Sequence, residues 1–128
     1  MKVFIVDDSA IVRERLISML SELTNVEIIG QARDAHEAVE AISRLKPDAV
    51  ILDIRMPGGD GIKILENIKK GKPSPLVIML TNYPYPQYRK KCMDAGADFF
   101  FDKSTEFEKV TEVLRQLAQH SKLKPPPP

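Results

Sequence analysis

Five side chains in this sequence could do chemistry together: Asp7, Asp8, Asp53, Thr81 and Lys103. Three carboxylates in one cleft repel each other, and their neutral forms are favoured unless a cation compensates. An all-oxygen carboxylate site suits magnesium, which keeps several waters and bridges protein carboxylates to phosphate oxygens. An ammonium and a hydroxyl beside the ion can take further oxygens of a phosphoryl group. One carboxylate is then free to act as nucleophile, as in aspartyl-phosphate chemistry. Asp53 is the best candidate, because the apolar run before it is expected to be central and most buried. Taken singly, each residue has a plainer reading. Asp7-Asp8-Ser9 before a helix caps it and compensates its dipole. Asp53 and Thr81 are ordinary strand-end residues, and a lone Lys103 is a solvated charge. The chemistry depends on elements that bring all five to one place.

Five short apolar runs have the character of buried strands: residues 3–6, 26–32, 49–52, 76–80 and 98–101. Their starts lie 23, 23, 27 and 22 residues apart, the period of strand, helix and turn repeated. Helix-period faces fall between and after them. Val12, Leu16, Met19, Leu20 and Leu23 form the first, and Ala35, Ala38, Val39 and Ile42 the second, with Asp34 as N-cap. Ile62, Leu65 and Ile68 form the third, and Tyr85, Tyr88 and Cys92 the fourth. Phe107, Val110, Leu114 and Leu117 form the fifth, with Thr105 and Glu108 spaced as a capping box. Lys46-Pro47, Pro57 to Gly61, Gly71 to Pro75 and Gly96 punctuate the boundaries. Alternating strands and helices imply an α/β fold, a doubly wound parallel sheet covered on both faces. Function in such a sheet sits at the carboxyl ends of the strands. All five reactive residues fall within a residue or two of those ends.

Composition bounds the rest. A chain of 128 residues fits one domain. Nineteen basic against 18 acidic residues, a net charge of +1, offer no broad basic surface for nucleic acid. The single Cys92 cannot form an internal disulfide, so a reducing, cytoplasmic setting is expected. No apolar run approaches the roughly 20 residues of a membrane span, and no signal peptide is evident. Four prolines end the chain after Lys122 and Lys124 and read as an extended tail.

The motifs Phe4-Ile5-Val6-Asp7-Asp8-Ser9, Asp53 to Gly61, Met79-Leu80-Thr81 and Ala95-Gly96-Ala97-Asp98 running to Lys103 resemble, in order and spacing, the receiver domains of two-component response regulators. The resemblance covers residues 2 to about 120. It implies a flavodoxin-like sheet of order 2-1-3-4-5 with five helices, a domain over residues 1–121 and a Lys/Pro-rich tail over 122–128. It implies that Asp53 is the phosphoacceptor and Asp8 a direct magnesium ligand, with Asp7 acting through water and the Arg55 backbone carbonyl as the third protein ligand. Thr81 and Lys103 take the place of the phosphoryl-oxygen partners, and Phe100 that of the switch aromatic. The implied donor is a sensor histidine kinase or phosphotransfer protein. The implied output is a downstream protein contacted through the fourth helix, fifth strand and fifth helix, without direct nucleic-acid binding. A homodimer is left open. If the chain is complete, no output domain is attached; it is equally consistent with a receiver cut from a longer regulator.

Departures are also visible. Ser104 follows Lys103 where many members have proline, so a cis bond there is not expected. Asn82-Tyr83-Pro84-Tyr85-Pro86 stiffens the loop before the fourth helix and delays its start, which suggests a restricted or shifted output surface. Tyr83 and Arg55, two residues after Thr81 and Asp53, stand where they could shield an acyl phosphate from water. The alternative function is a magnesium-dependent aspartyl-phosphate phosphohydrolase. Arg55 occupies the position where such enzymes carry a second acid, which argues against it. Otherwise catalysis is confined to the chain's own phosphorylation and dephosphorylation.

Overall fold

The computed structural model describes the backbone of residues 1–123 and the side chains through residue 119. The order is β1 (Lys2–Val6), α1 (Ala10–Leu20), β2 (Glu27–Ala32), α2 (Ala35–Leu45), β3 (Ala49–Leu52), β4 (Arg55–Met56), β5 (Gly59–Asp60), α3 (Gly61–Lys70), β6 (Leu76–Thr81), α4 (Pro86–Asp94), β7 (Phe99–Asp102) and α5 (Lys109–Leu123). Five strands form a parallel sheet of order β2-β1-β3-β6-β7. Counting only these strands, the order is the expected 2-1-3-4-5. The short pair β4 and β5 is an antiparallel hairpin that starts just before the Pro57 to Gly61 punctuation and runs into it.

Strand alternation divides the core in two. Phe4, Val6, Val50, Leu52, Val77, Met79 and Phe100 face the layer of α2, α3 and α4. Val3, Ile5, Ala49, Ile51, Ile78 and Leu80 face α1 and α5. The central strand β3 is buried at every position, so its apolar run lacks alternation in polarity. Phe99 and Phe101 stack at 5.9 Å on the side away from Phe100, as alternation requires.

Local chemistry sets the boundaries. The side chains of Ser9, Asp34 and Asp60 accept N–H groups from Val12, Glu37 and Lys63 at the starts of α1, α2 and α3. Lys46 ends α2 with φ 50°, and Gly96 follows α4 with φ +103°, a backbone state glycine adopts without a Cβ penalty. The loop through Pro84 delays α4 to Pro86, which takes the first helical position. Tyr85 therefore lies outside the helix and is half exposed, while Tyr88 and Cys92 pack inward.

The expected Thr105/Glu108 capping box does not form. The Asp102 carboxylate instead accepts the Ser104 N–H at 2.9 Å, and Glu106 accepts the Asp102 N–H at 3.1 Å. These turns use up the segment, and α5 starts only at Lys109. Phe107 is thus buried ahead of the helix rather than on it. The α5 backbone reaches Leu123, two residues into the expected tail; the rest of that tail, from residue 124, lies outside the described residues. Lys103–Ser104 is not a cis bond. No helix among the described residues is long and apolar enough to cross a membrane.

Candidate functional site

Register brings the reactive residues together. Val6 pairs with Leu52 across β1 and β3, so Asp7 and Asp53 leave adjacent strand ends side by side. The Asp53 N–H donates to the Val6 carbonyl at 3.1 Å, extending that pairing by one residue. Thr81 pairs with Asp102 at the end of β6 and β7, and the Lys103 N–H donates to the Thr81 carbonyl at 2.8 Å. The Lys103 ammonium then reaches back to Asp7 Oδ2 at 2.6 Å and Asp53 Oδ2 at 2.8 Å. All three side chains are at most 8% exposed, which makes this a buried ion cluster rather than a surface bridge.

Each carboxylate is oriented. Asp53 Oδ1 accepts the Ile54 N–H at 2.7 Å, and Asp7 Oδ1 accepts the Ser9 N–H at 2.9 Å. Asp8 is exposed at the rim. One oxygen from each of Asp7, Asp8 and Asp53 fits within a 4.8 Å span. A single ammonium balances three carboxylates, so the cluster keeps an excess of negative charge. Hard oxygen donors with that excess fit a hard divalent cation such as magnesium. Burial, partly offset by Lys103 and reinforced by Asp7, raises the Asp53 pKa above the ordinary carboxylate value. Burial works against the Lys103 ammonium, but its hydrogen bonds to Asp53 and Asp7 outweigh it and raise its pKa.

An open cleft of about 430 Å³ lies over the cluster, lined by Asp8, Asp53, Arg55, Asn82, Tyr83 and Lys103 among others. Thr81 is fully buried at its side, and its Oγ1 accepts the Tyr83 N–H at 3.0 Å. The exposed Arg55 does not turn to a carboxylate. Its guanidinium lies 4.5 Å from the centre of the Tyr83 ring and donates to the Tyr88 hydroxyl at 3.2 Å. Tyr85 links the two, 6.5 Å from Tyr83 and 5.8 Å from Tyr88 between ring centres.

Phe100 is separate from the cleft, 3% exposed in the layer beneath α4, with the Arg89 guanidinium 4.7 Å from its ring centre. Cys92 is fully buried, and burial pushes its thiol up to about 11, which suits a packing residue and not a reactive one.

Two contributors were not read from the sequence. In the sequence Tyr88 falls on an apolar helix face, although a tyrosine beside a site carries a polar tip that needs a partner. Gly61 reads in the sequence as punctuation, but a Cβ there would overlap the Asp53 carbonyl and press on Ile54. The start of α3 thus packs directly against the backbone that carries Asp53.

The profile described as response regulator receiver domain matches residues 3–115. Response regulator protein VraR of Staphylococcus saprophyticus is 32% identical over 115 residues, covering 90% of this chain and 55% of that protein. A protein-glutamate methylesterase/protein-glutamine glutaminase of Alkalilimnicola ehrlichii is 37% identical over 122 residues, covering 90% of this chain and 31% of that protein. The chain thus spans about half, or less, of these relatives. Among solved structures, the response regulator domain of Thermotoga maritima CheB superposes with a TM-score of 0.81 at 32% identity, covering 98% of both chains. A chain of the CheX-CheY-BeF3-Mg+2 complex from Borrelia burgdorferi superposes with a TM-score of 0.83 at 33% identity, covering 91% of this chain and 88% of that one.

Proposed function

Because the chain belongs to the response regulator receiver domain family, we propose that it is the phosphoacceptor module of a two-component phosphorelay, taking a phosphoryl group on Asp53. The observation that supports this most is the Lys103 ammonium bridging Asp7 and Asp53 at the carboxyl ends of the strands. In the transfer, an Asp53 carboxylate oxygen attacks phosphorus. A new O–P bond forms, the P–N bond of a phosphohistidine breaks, and its electron pair returns to the imidazole nitrogen, which takes up a proton. The donor is a sensor histidine kinase or a phosphotransfer protein.

Asp8, Asp53 and the Arg55 carbonyl would hold magnesium, with Asp7 acting through water. Bound there, the ion offsets negative charge on the carboxylates and phosphoryl oxygens. Lys103 pairs with one phosphoryl oxygen. Thr81 gives up the Tyr83 N–H and donates its hydroxyl to another. Phe100 responds behind it, and the surface of α4, β7 and α5 changes for a downstream protein. Tyr83 and Arg55 over the cleft slow the approach of water to the acyl phosphate. Catalysis is limited to the chain's own phosphorylation and dephosphorylation, in the cytoplasm. A phosphomonoester hydrolase is not favoured, since Arg55 stands where a second acid would be required and is engaged by tyrosines. Magnesium-dependent modification by a small phosphodonor, lost in Asp53→Asn, tests the reading. Residues 1–121 are the proposed domain.

A further inference from the structure

Arg55 is the cation of the cleft left out of its ion cluster. Lys103 holds two carboxylates, yet among the described residues none pairs with Arg55, although Asp8 and Asp53 line the same cleft. The guanidinium is instead parked on α4 and its preceding loop, over the Tyr83 ring and against the Tyr88 hydroxyl. Both partners are neutral, Arg55 itself is exposed and its hydrogen bond to Tyr88 lies in the open, so the hold is weak. A phosphoryl group on Asp53 would project its oxygens into the cleft that Arg55 lines. A guanidinium–phosphate pair is ionised at both ends and frequently bidentate, whereas Tyr88 offers one neutral acceptor. The exchange therefore favours the phosphoryl group.

We infer that Arg55 is a phosphoryl-binding side chain that exchanges Tyr83 and Tyr88 for the acyl phosphate, so that loading of the site unlatches α4. The inference rests on Asp53 being the phosphoacceptor. Tyr83 is tethered twice, by its ring to Arg55 and by its N–H to Thr81 Oγ1. Both tethers lead to residues that turn to the phosphoryl group, so one chemical event frees the loop at two points while the Tyr83 ring still lines the cleft beside the acyl phosphate. This route runs along the surface and is distinct from the buried movement of Phe100.

Nuclear magnetic resonance of the whole chain with magnesium and beryllofluoride tests it. The Thr81 amide reports loading, the Arg55 side-chain N–H reports the exchange, and the Tyr88 ring reports release. All three move in the wild type. In Arg55→Ala the Thr81 amide still moves, but the Tyr88 ring starts at its released position and stays there. Arg55→Ala weakens beryllofluoride binding about fivefold, and Tyr88→Phe tightens it about two- to threefold, the scale of one hydrogen bond gained or freed. If the Thr81 amide moves while Arg55 and Tyr88 stay fixed, the exchange is refuted and the phosphoacceptor reading stands. An unmoved Thr81 amide in the wild type overturns both.

Discussion

Lys103 and Asp53, 50 residues apart in sequence, meet at 2.8 Å, both almost fully buried at the floor of an open cleft. Neither is neutral in isolation, and Asp7 shares the same ammonium at 2.6 Å. With Asp8 at the rim, one ammonium faces three carboxylates, and the excess negative charge is a tension that, among ligands, only a cation can relieve.

Replacing Asp53 by Asn relieves that tension. Burial raises the Asp53 pKa in the folded protein, so the native state binds more protons than the unfolded chain between the ordinary carboxylate value and the raised one. Its contribution to stability is greatest below that window and falls as pH rises through it. Metal-free Asp53→Asn is expected to unfold at a higher temperature than wild type at neutral pH, with the gain shrinking as pH drops through the window. Equal melting temperatures at pH 7 in chelator would contradict this. The Lys103 contribution is present below the ordinary lysine value and is lost as pH rises through its raised one.

Magnesium affinity follows the same proton. If Asp53 is a ligand it must be ionised to bind, so affinity is expected to fall as pH falls through its pKa, which burial raises above the ordinary carboxylate value. Asp8→Asn is expected to lose about tenfold or more in affinity. Calorimetric titration across pH measures both, and a flat affinity from neutral pH down to the free-carboxylate range would refute the first.

Tyr83→Ala opens the cleft above Asp53. The acyl phosphate is expected to hydrolyse about three- to tenfold faster, equivalent to about 1 kcal/mol of barrier. An unchanged first-order decay rate after removal of the phosphodonor would exclude shielding by this ring.

Gly61→Ala places a methyl group on the Asp53 carbonyl. Overpacking against backbone costs about 1–3 kcal/mol. Urea unfolding should show that loss together with weaker magnesium binding, since the displaced backbone carries Asp53. Wild-type values for both would show that α3 shifts without cost.

Legibility of the sequence followed the physics of each element. β3 and β6 are fully or almost fully buried runs ended by Asp53 and Thr81, and such runs can be read directly. Caps worked where the side chain had a single option, as at Asp34. At Thr105 the rule failed because Asp102 and Glu106 offered competing turns that only register and spacing in three dimensions decide. Asp7, Asp8, Asp53, Thr81 and Lys103 converge because a parallel sheet aligns its carboxyl ends, a relation the repeat itself implies. Arg55 with Tyr88 did not follow from it, because their contact joins a hairpin to a helix across 33 residues, and no periodicity encodes that. The close approach of Gly61 to Asp53 was equally hidden, since sequence shows a glycine but not the backbone it lies against.

Phosphoryl acceptance at Asp53 underlies the function proposed for this chain. Intact-protein mass spectrometry after incubation with a small phosphodonor measures it most directly. The expected result is one added phosphoryl group per wild-type chain, dependent on magnesium and absent in Asp53→Asn. Persistent lack of modification in the wild type, or undiminished modification of Asp53→Asn, would show that Asp53 is not the acceptor.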